Sequence, residues 1–467
     1  MIIKIWNWIE YKHLQLLVLL LFLSMPFERI PSILTPIGPV RLNMFLTVAI
    51  SCLLVILIIK KDEELAKIKL NLESKILLIF IGLSTLSFYR VENYNRFVSA
   101  YSATLICIFG AIFVGNFLDK PFEAFVSQLK IWMFILFFGL YQYLGDMSGL
   151  PANLTGMKDL FQKHVFGTTR VIATFNEPSY LANALFLIIF AFLFLSFSNI
   201  KIFDKSRFRI LRYLTYDYYR LTCLALVSLA LVLFILTIAK SAWVILPVVL
   251  IFAGIAIVHK NLAKNILPYL LPFCLIILIG FSYLLLSNNP VVGGVVASVI
   301  ETFEGNSATA FERKTYLDSA NYYIPDNILL GVGSGQFGTV ASQLIINELT
   351  PYQSLFFNAP ESLDNTEKII VFNVYSEVIL EYGLIASIVL FGLFAFVLIK
   401  NFVLFFETCT IGLLDKINLM RLTFGLYFIA SLCQWYFISP IYVNPIWVGF
   451  GFLILLNNYN NKETITQ

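Results

Sequence analysis

The sequence has little charge. Asp, Glu, Lys and Arg make up 13% of its 467 residues, about half the share that is usual in soluble domains. Hydrophobic residues make up 59%, and the mean hydropathy is +0.84. This composition excludes a water-soluble globular protein and indicates a membrane protein. The apolar runs are continuous rather than alternating, which also excludes a closed transmembrane β-barrel.

Cysteine and histidine are scarce as well, with six cysteines and three histidines. None of the cysteines is expected in an external segment, so we predict no disulfide framework. No metal-ligand spacing occurs among them, and we expect neither a metal site nor a cofactor. The N-terminal apolar run ends in 23–27 without a small-residue cleavage site, which predicts a retained first helix.

Twelve apolar stretches are candidates for spanning helices, each of which needs about 20 residues. The sequence therefore predicts an all-α polytopic membrane protein, a single membrane domain over 1–467 with about 12 transmembrane helices, in the range 11–14. The stretches lie at approximately 13–26, 42–59, 76–89, 97–117, 131–146, 178–197, 221–238, 243–258, 266–286, 369–399, 422–437 and 441–457.

The distribution of Lys and Arg predicts the orientation. With both termini in the cytoplasm, the cytoplasmic segments hold 21 of the 32 basic residues, as the positive-inside rule requires. The net charge of +4 then follows from topology and gives no reason to expect a nucleic-acid partner. This orientation places residues 287–368 outside, as one large loop.

The 287–368 loop is the longest polar interruption of the chain. It contains nine acidic and three basic residues, so a generally cationic phosphate-binding surface is excluded. We predict an amphipathic helix near 309–324, a Gly-rich turn at 331–338 and a short helix near 339–348. The Gly333–Gly338 string matches GxGxxG, but no βαβ unit surrounds it, which argues against a dinucleotide site. Its glycines favour a turn with positive φ or a close backbone approach.

Three basic residues outside the membrane are candidates for binding an anion. Arg313 could hold a phosphate with its planar fork, or it could pair with Glu312 or Asp318. Arg170, just before a span, could do the same or could be an interfacial cation. Lys240 lies in a very tight external turn against the charge bias, and contact with lipid headgroups is its alternative role.

Two glutamates lie at the starts of predicted spans. Glu177 precedes Pro178 at a span start, where an acid also complements the helix dipole. Glu377 lies with Asn373 and Glu381 at helical spacing on one face. Carboxylates at membrane depth are costly unless they line a polar cavity or pair with a base from another helix, and the sequence leaves both readings open.

Several motifs occur in a familiar order. Arg170 precedes a Phe-x-Glu-Pro run, Lys240-Ser241 forms a short turn, and Arg313 precedes Asp326–Phe337. Asn-x-Tyr-x-Glu-x-x-x-Glu-x-Gly then follows from Asn373 to Gly383. Together these motifs, which cover roughly 165–395, resemble the O-antigen ligase/polymerase superfamily, the Wzy and WaaL proteins.

The resemblance implies inverting glycosyl transfer, without a metal, on the periplasmic face of a bacterial inner membrane. The donor and acceptor would be undecaprenyl-diphosphate-linked glycans, and a polysaccharide co-polymerase that regulates chain length is a further partner that it leaves open. Arg170 and Arg313 would hold the diphosphate, and Glu177 and Glu377 are the candidates for the base. Lys240, Asn373, Tyr375, Gly333 and Gly335 are the substrate-binding candidates.

One departure favours the polymerase branch. Ligases usually carry a histidine immediately before the asparagine of the last motif, and Phe372 occupies that position here. The alternatives are a ligase that joins polymer to lipid A–core and, from another class, a transporter of lipid-linked oligosaccharide. A transporter predicts two related halves and charges distributed through a central cavity, whereas here the polar groups are concentrated on one side of the membrane.

Overall fold

The computed structural model describes residues 10–28, 32–35, 38–155, 164–165, 168–175, 177–202, 218–262, 308–349, 369–438 and 440–459. In this part the chain is predominantly helical, with two short antiparallel hairpins. The first half contains α1 (Tyr11–Leu23), β1 (Ser32–Thr35), β2 (Gly38–Arg41), α2 (Leu42–Ile59), α3 (Glu63–Ala66), α4 (Leu72–Thr85), a 3₁₀ helix (Leu86–Arg90), α5 (Tyr94–Phe117), α6 (Pro121–Met147) and α7 (Ala152–Thr155).

The second half continues in the same way. It contains β3 (His164–Val165), β4 (Thr168–Thr169), α8 (Pro178–Phe197), α9 (Tyr219–Leu236), α10 (Lys240–His259), α11 (Ala308–Asn327), α12 (Phe337–Val340), α13 (Ser342–Leu349), α14 (Val374–Thr408), α15 (Lys416–Gln434) and α16 (Asn444–Asn458). The hairpins pair Ser32 with Arg41 and His164 with Thr169 at their ends.

Eight helices in the described part of the chain are long and apolar enough to cross a membrane: α2, α4 with its 3₁₀ extension, α5, α6, α8, α9, α10 and α14. The polytopic membrane class predicted from composition is thus confirmed. Two predicted spans, 42–59 and 178–197, have the predicted bounds, whereas the predicted span 266–286 lies outside the described residues.

Other bounds differ from the prediction for local reasons. The span predicted at 131–146 is wrong at its start, because Pro121 in the first turn begins α6 ten residues earlier. The span predicted at 369–399 begins only at Val374, since the Asn373 side chain accepts a hydrogen bond from Ser376 N–H and caps the helix. That helix continues to Thr408. The prediction had ended it at 399, where the apolar run of the sequence stops.

Helix α8 occupies the centre of the bundle. Its sequence is apolar on every face, and 89% of its span is buried, against 28% for α10. A helix that is hydrophobic all round is suited to burial among other helices. Helices α9 and α15 pack against α8, so the start of α8, at Glu177, is held inside the assembly rather than at its rim.

The end of the bundle at which α14 terminates is fixed by a buried ion pair. Lys400 Nζ lies 2.7 Å from Glu73 Oε1, joining α14 to α4. The Asn458 side chain of α16 accepts from Lys400 and donates to Glu73. Glu73 is fully buried, and its charge is satisfied by partners from two other helices, α14 and α16. The opposite end, at which α8 and α14 begin and α9 and α15 terminate, is referred to below as the site end.

A segment after α11 packs into a break in α14. Gly383 is non-helical, with φ 81° and ψ 165°, and Leu384 N–H donates to the Ile328 carbonyl at 2.7 Å. Val332 N–H and Gly333 N–H donate to Leu380 and Glu381 carbonyls, each at 2.9 Å. The backbone groups released by the break are therefore satisfied by the segment 328–333.

Because of this crossing, we expect Gly383→Ala to destabilise the protein strongly. A Cβ at this position would collide with the Leu329 carbonyl, and the positive φ alone costs an alanine about 1–3 kcal/mol. Thermal unfolding in detergent should show a clear loss of stability. Gly392→Ala in the same helix is the matched control, since nothing lies within 4 Å of its added Cβ; equal melting temperatures for the two variants would contradict the close approach.

The part of the 287–368 loop that the structure describes has its own small core. The helix predicted near 309–324 is present as α11, although its apolar residues are not concentrated on one face as expected. The predicted short helix corresponds to α13. Residues from both helices, the Gly-rich turn and the approach to α14 pack together: Tyr316, Ala320, Val332, Phe337, Ala341, Ile345, Leu349, Ile369, Val371 and Leu380. This core fixes α11 above the start of α14.

Candidate functional site

Arg170 lies at the site end, between β4 and α8. Its Nε donates to the Thr237 carbonyl at the end of α9, at 3.2 Å. Burial lowers the pKa of the Arg170 guanidinium; the Glu177 carboxylate opposes that shift and the Arg313 charge adds to it. Two arginines and one glutamate that are far apart in sequence thus share one neighbourhood.

Arg313 reaches the same neighbourhood from α11. Its Nη1 lies 3.5 Å from the Phe437 carbonyl, and its Cζ lies 5.0 Å from the centre of the Phe372 ring. The guanidinium is accessible to solvent, yet the surrounding protein lowers its pKa, with Glu177 as the largest opposing charge. Within the described chain Arg313 forms no ion pair with Glu312 or Asp318, the partners considered from sequence, because Glu312 accepts from the Tyr316 hydroxyl at 2.7 Å instead.

The Glu177 carboxylate interacts electrostatically with both arginines. It is the N-cap residue of α8, although its side chain makes no capping hydrogen bond, and Pro178 follows it in the first turn. Ser179 Oγ donates to Glu177 Oε2 at 3.1 Å. The carboxylate is therefore turned away from its own helix backbone and balances Arg170 and Arg313. Two guanidinium groups around one carboxylate leave a net positive charge, which suits a further anion.

The Phe372 ring packs against the guanidinium of Arg313. Its ring stacks on Tyr316, with centroids 6.0 Å apart, while Arg313 covers it as a cation–π partner. Phe372 has φ +57°, a left-handed conformation that is strained for a bulky residue. Its neighbours hold it there, since Asn373 caps α14 and Val374 N–H donates to the Trp435 carbonyl at 2.8 Å.

Glu377 and Glu381 project from the first turns of α14 and are both 4% exposed. Glu377 Oε1 lies 3.4 Å from Ile441 N–H, which belongs to the connection between α15 and α16. Glu381 receives hydrogen bonds from the backbone N–H groups of Gly335 and Phe337. The two carboxylates therefore have different hydrogen-bond partners: Glu377 accepts from the 440–443 connection, and Glu381 accepts from the Gly-rich turn.

The Gly-rich turn binds a carboxylate of this chain. Gly331, Gly333 and Gly335 have φ of 74°, 103° and 69°, and successive N–H groups in such a turn form a cradle for an anion. Glu381 occupies that cradle, and a Cβ on Gly331 would lie 2.5 Å from the Glu381 carbonyl. The expectation of positive φ and close backbone approach is confirmed. The N–H groups of Gly333 and Gly335, predicted from the resemblance to bind substrate, are engaged within the protein.

Gln336 attaches this turn to the start of α5. Its Oε1 accepts from Glu92 N–H at 3.2 Å and from Asn93 N–H at 2.8 Å, and its Nε2 donates to the Asn93 carbonyl at 2.9 Å. The side chain is fully buried. We expect Gln336→Ala to cost about 1–3 kcal/mol, because it leaves these backbone groups without partners. Unfolding in detergent measures this, with the exposed Gln343→Ala as the control; equal stability of the two variants would contradict it.

The remaining predicted residues have other surroundings. Asn373 caps α14, and its Nδ2 donates to the Tyr436 carbonyl at 3.3 Å, so its side chain is committed to the backbone. The Tyr375 hydroxyl donates to the Leu432 carbonyl at 2.7 Å, which joins α14 to α15 instead of reaching the arginines. Lys240 was predicted to lie in a tight turn, but it is the first residue of α10. Its side chain lies outside the described part.

Five further residues at the site end were not predicted from the sequence. Glu28, 1% exposed, pairs with Arg41 at 3.3 Å. Arg96 interacts electrostatically with Glu381 and Tyr442, and Tyr180 with Glu177, Glu28 and Tyr442. Arg41 and Arg96 could have been singled out by the argument used for Lys240. Both are basic residues in segments predicted to be external, where basic residues are fewer.

The site end thus carries charged groups that interact electrostatically, called the charged cluster below: Glu28, Arg41, Arg96, Arg170, Glu177, Arg313, Glu377 and Glu381. Its parts differ in balance. Arg170 and Arg313 share one carboxylate, whereas Arg96 lies with two carboxylates of α14. An anionic group would be favoured on the side of Arg170 and Arg313. A group that loses a proton would be favoured on the side of Glu377 and Glu381.

The fold and this cluster define a class: a polytopic helical membrane protein with a charged, partly solvent-accessible site at one end of its bundle. Comparison of the chain with models of known protein families and with curated proteins found no match.

Proposed function

We propose that the protein is a polymerase of undecaprenyl-diphosphate-linked oligosaccharide repeat units, of the O-antigen type. The observation that carries the proposal is the convergence of Arg170 and Arg313 on one carboxylate at the site end. Such a pair suits a diphosphate leaving group, whose negative charge grows in the transition state and which guanidinium groups stabilise without a metal.

The proposal includes a topology. About 12 spans with both termini in the cytoplasm of a bacterium would place the charged cluster and the 287–368 loop on the periplasmic face of the inner membrane. The supporting observations are the excess of Lys and Arg in the segments assigned to the cytoplasm and the eight apolar helices. Lipid-linked donor and acceptor would then reach the site from the outer leaflet.

In the proposed reaction, Arg170 and Arg313 hold the diphosphate of the donor. An acceptor hydroxyl attacks the anomeric carbon from the opposite face, and Glu377 takes the hydroxyl proton. The new glycosidic C–O bond forms as the bond to the diphosphate breaks, and the electron pair leaves with the undecaprenyl diphosphate. The configuration at the anomeric carbon is inverted.

The assignment of the base follows from the two sides of the cluster. Glu177 interacts electrostatically with Arg170 and Arg313, which would hold the leaving diphosphate, so we assign Glu177 to the donor and not to the attacking hydroxyl. Glu377 lies beside the 440–443 connection. A carboxylate in that position is suited to general-base work on the acceptor.

A ligase that transfers finished polymer to lipid A–core is the second candidate, from the same superfamily. Against it, the position at which ligases usually carry a histidine holds Phe372, whose ring has no proton to exchange and is covered by Arg313. A transporter of lipid-linked oligosaccharide is the third candidate. Against it, the charged cluster lies at the site end and not midway along the bundle, where a transporter would need it.

Deletion of the gene in its host tests the proposal. We expect lipopolysaccharide that carries single repeat units on its core, seen on a gel as loss of the ladder. Bare core with accumulated lipid-linked polymer would indicate the ligase instead. An unchanged ladder, together with unchanged capsule and exopolysaccharide, would contradict both enzymes. The same strain, supplied with the gene and with or without a co-polymerase, tests whether a chain-length regulator is a partner.

A further inference from the structure

Two tyrosines lie between the two sides of the charged cluster. Tyr180 belongs to the first turn of α8, three residues after Glu177, and Tyr442 belongs to the connection that binds Glu377 through Ile441 N–H at 3.4 Å. The two phenols interact electrostatically with each other. Both rings pack on the main core and stay partly exposed. Each tyrosine is thus associated with one of the two carboxylates.

This arrangement has the composition of a saccharide subsite. A partly exposed aromatic ring offers an apolar face for the C–H face of a pyranose, and neighbouring carboxylates and guanidinium groups can bind its hydroxyls. Tyr442 interacts electrostatically with Glu377, Arg96, Glu381 and Arg41. A tyrosine hydroxyl is protonated at neutral pH and can therefore donate a hydrogen bond to a sugar oxygen.

We propose that Tyr442 forms the floor of the acceptor-sugar subsite, and that Tyr180 contacts the transferred sugar of the donor. The inference rests on the proposed function. It assigns the two substrates to the two sides of the cluster: the donor diphosphate to Arg170 and Arg313 with Tyr180, and the acceptor hydroxyl to Glu377 with Tyr442. Tyr442 is in this view a residue that determines acceptor binding.

The test uses the full-length protein in lipid nanodiscs. The probe is polyprenyl-diphosphate-linked saccharide extracted from host cells that lack the gene, and the readout is the initial rate of transfer as donor and acceptor are varied separately. Because donor and acceptor carry the same repeat, part of the extract is first extended to several repeats with the wild-type protein and purified as donor, and the unextended single-repeat material serves as acceptor, which keeps the two concentrations independent. We expect Tyr442→Leu to raise the acceptor KM about tenfold, with the donor KM changed less than about twofold.

Further variants separate this role from a structural one. Tyr442→Phe keeps the aromatic face and should retain an acceptor KM within about threefold of the wild type, whereas Tyr442→Ala should behave like Tyr442→Leu. Tyr322→Ala, 67% exposed on α11, is the control that should change neither KM. An unchanged acceptor KM in a folded Tyr442→Leu protein overturns this inference alone. Absence of transfer by the wild-type protein overturns the proposed function instead.

Discussion

Arg313→Ala is expected to abolish polymer formation while the protein remains folded and inserted in the membrane. Loss of one aimed donor to a developing negative charge typically lowers a rate about 10²–10³-fold. Arg313 is suited to this role because it projects from α11 over Phe372 and forms no ion pair with its neighbours in the described chain. Lipopolysaccharide gels of a complemented deletion strain provide the measurement.

Two matched variants give this experiment its controls. Lys314→Ala removes the next positive charge on the same exposed helix and should leave the ladder intact. Arg313→Lys keeps the charge but loses the planar fork that binds phosphate bidentately, so we expect it to recover only a small part of the activity. A normal ladder from Arg313→Ala, with equal protein in the membrane, would remove Arg313 from the site.

The sequence predicted the membrane class well because that class follows from hydrophobic length. A span such as 178–197 is continuous and apolar, and its ends are marked by Glu177-Pro178 and Ser198. Where charge enters a helix, as in Phe122 to Lys130 of α6, hydropathy places the helix start too late, because helix ends are decided by backbone capping and not by hydropathy.

The site was only partly predictable. Arg170 and Arg313 could be named because a guanidinium outside the membrane is conspicuous in a chain with so little charge. Their common dependence on Glu177 could not be read from the sequence, since it requires α8, α9 and α11 to meet. The same holds for Tyr442, which enters the site through one hydrogen bond between Ile441 and Glu377.

The Gly-rich string 331–338 shows what the sequence pattern could not predict. Its spacing predicted a turn, and the turn is present, but spacing alone could not say what the turn holds. The occupant of the cradle is Glu381, and the space around Gly331 and Gly383 is filled by backbone. Asn373 likewise caps α14 and is held by the Tyr436 carbonyl. These residues position Glu377 and Arg313, so substitutions there should act through folding.

Glu377→Gln is expected to lower the rate of transfer about 10²–10⁴-fold, which is the usual contribution of a general base. The substitution keeps the size of the side chain and leaves an amide oxygen that can still accept from Ile441 N–H. The structure of the 440–443 connection should therefore be preserved. Transfer from purified lipid-linked donor provides the measurement, with donor KM as a second readout that should stay within about twofold.

Glu177→Gln is the informative partner of this variant, because the two glutamates were equal candidates from the sequence. Glu177 balances Arg170 and Arg313, so its neutral form leaves both guanidinium groups fully available to a diphosphate. We expect a donor KM that is unchanged or lower and a rate within about tenfold of the wild type. A large loss of rate in Glu177→Gln with near-normal transfer in Glu377→Gln would exchange the two roles. The base would then act from the arginine side, and the attacking hydroxyl would approach past Tyr180 instead of Tyr442.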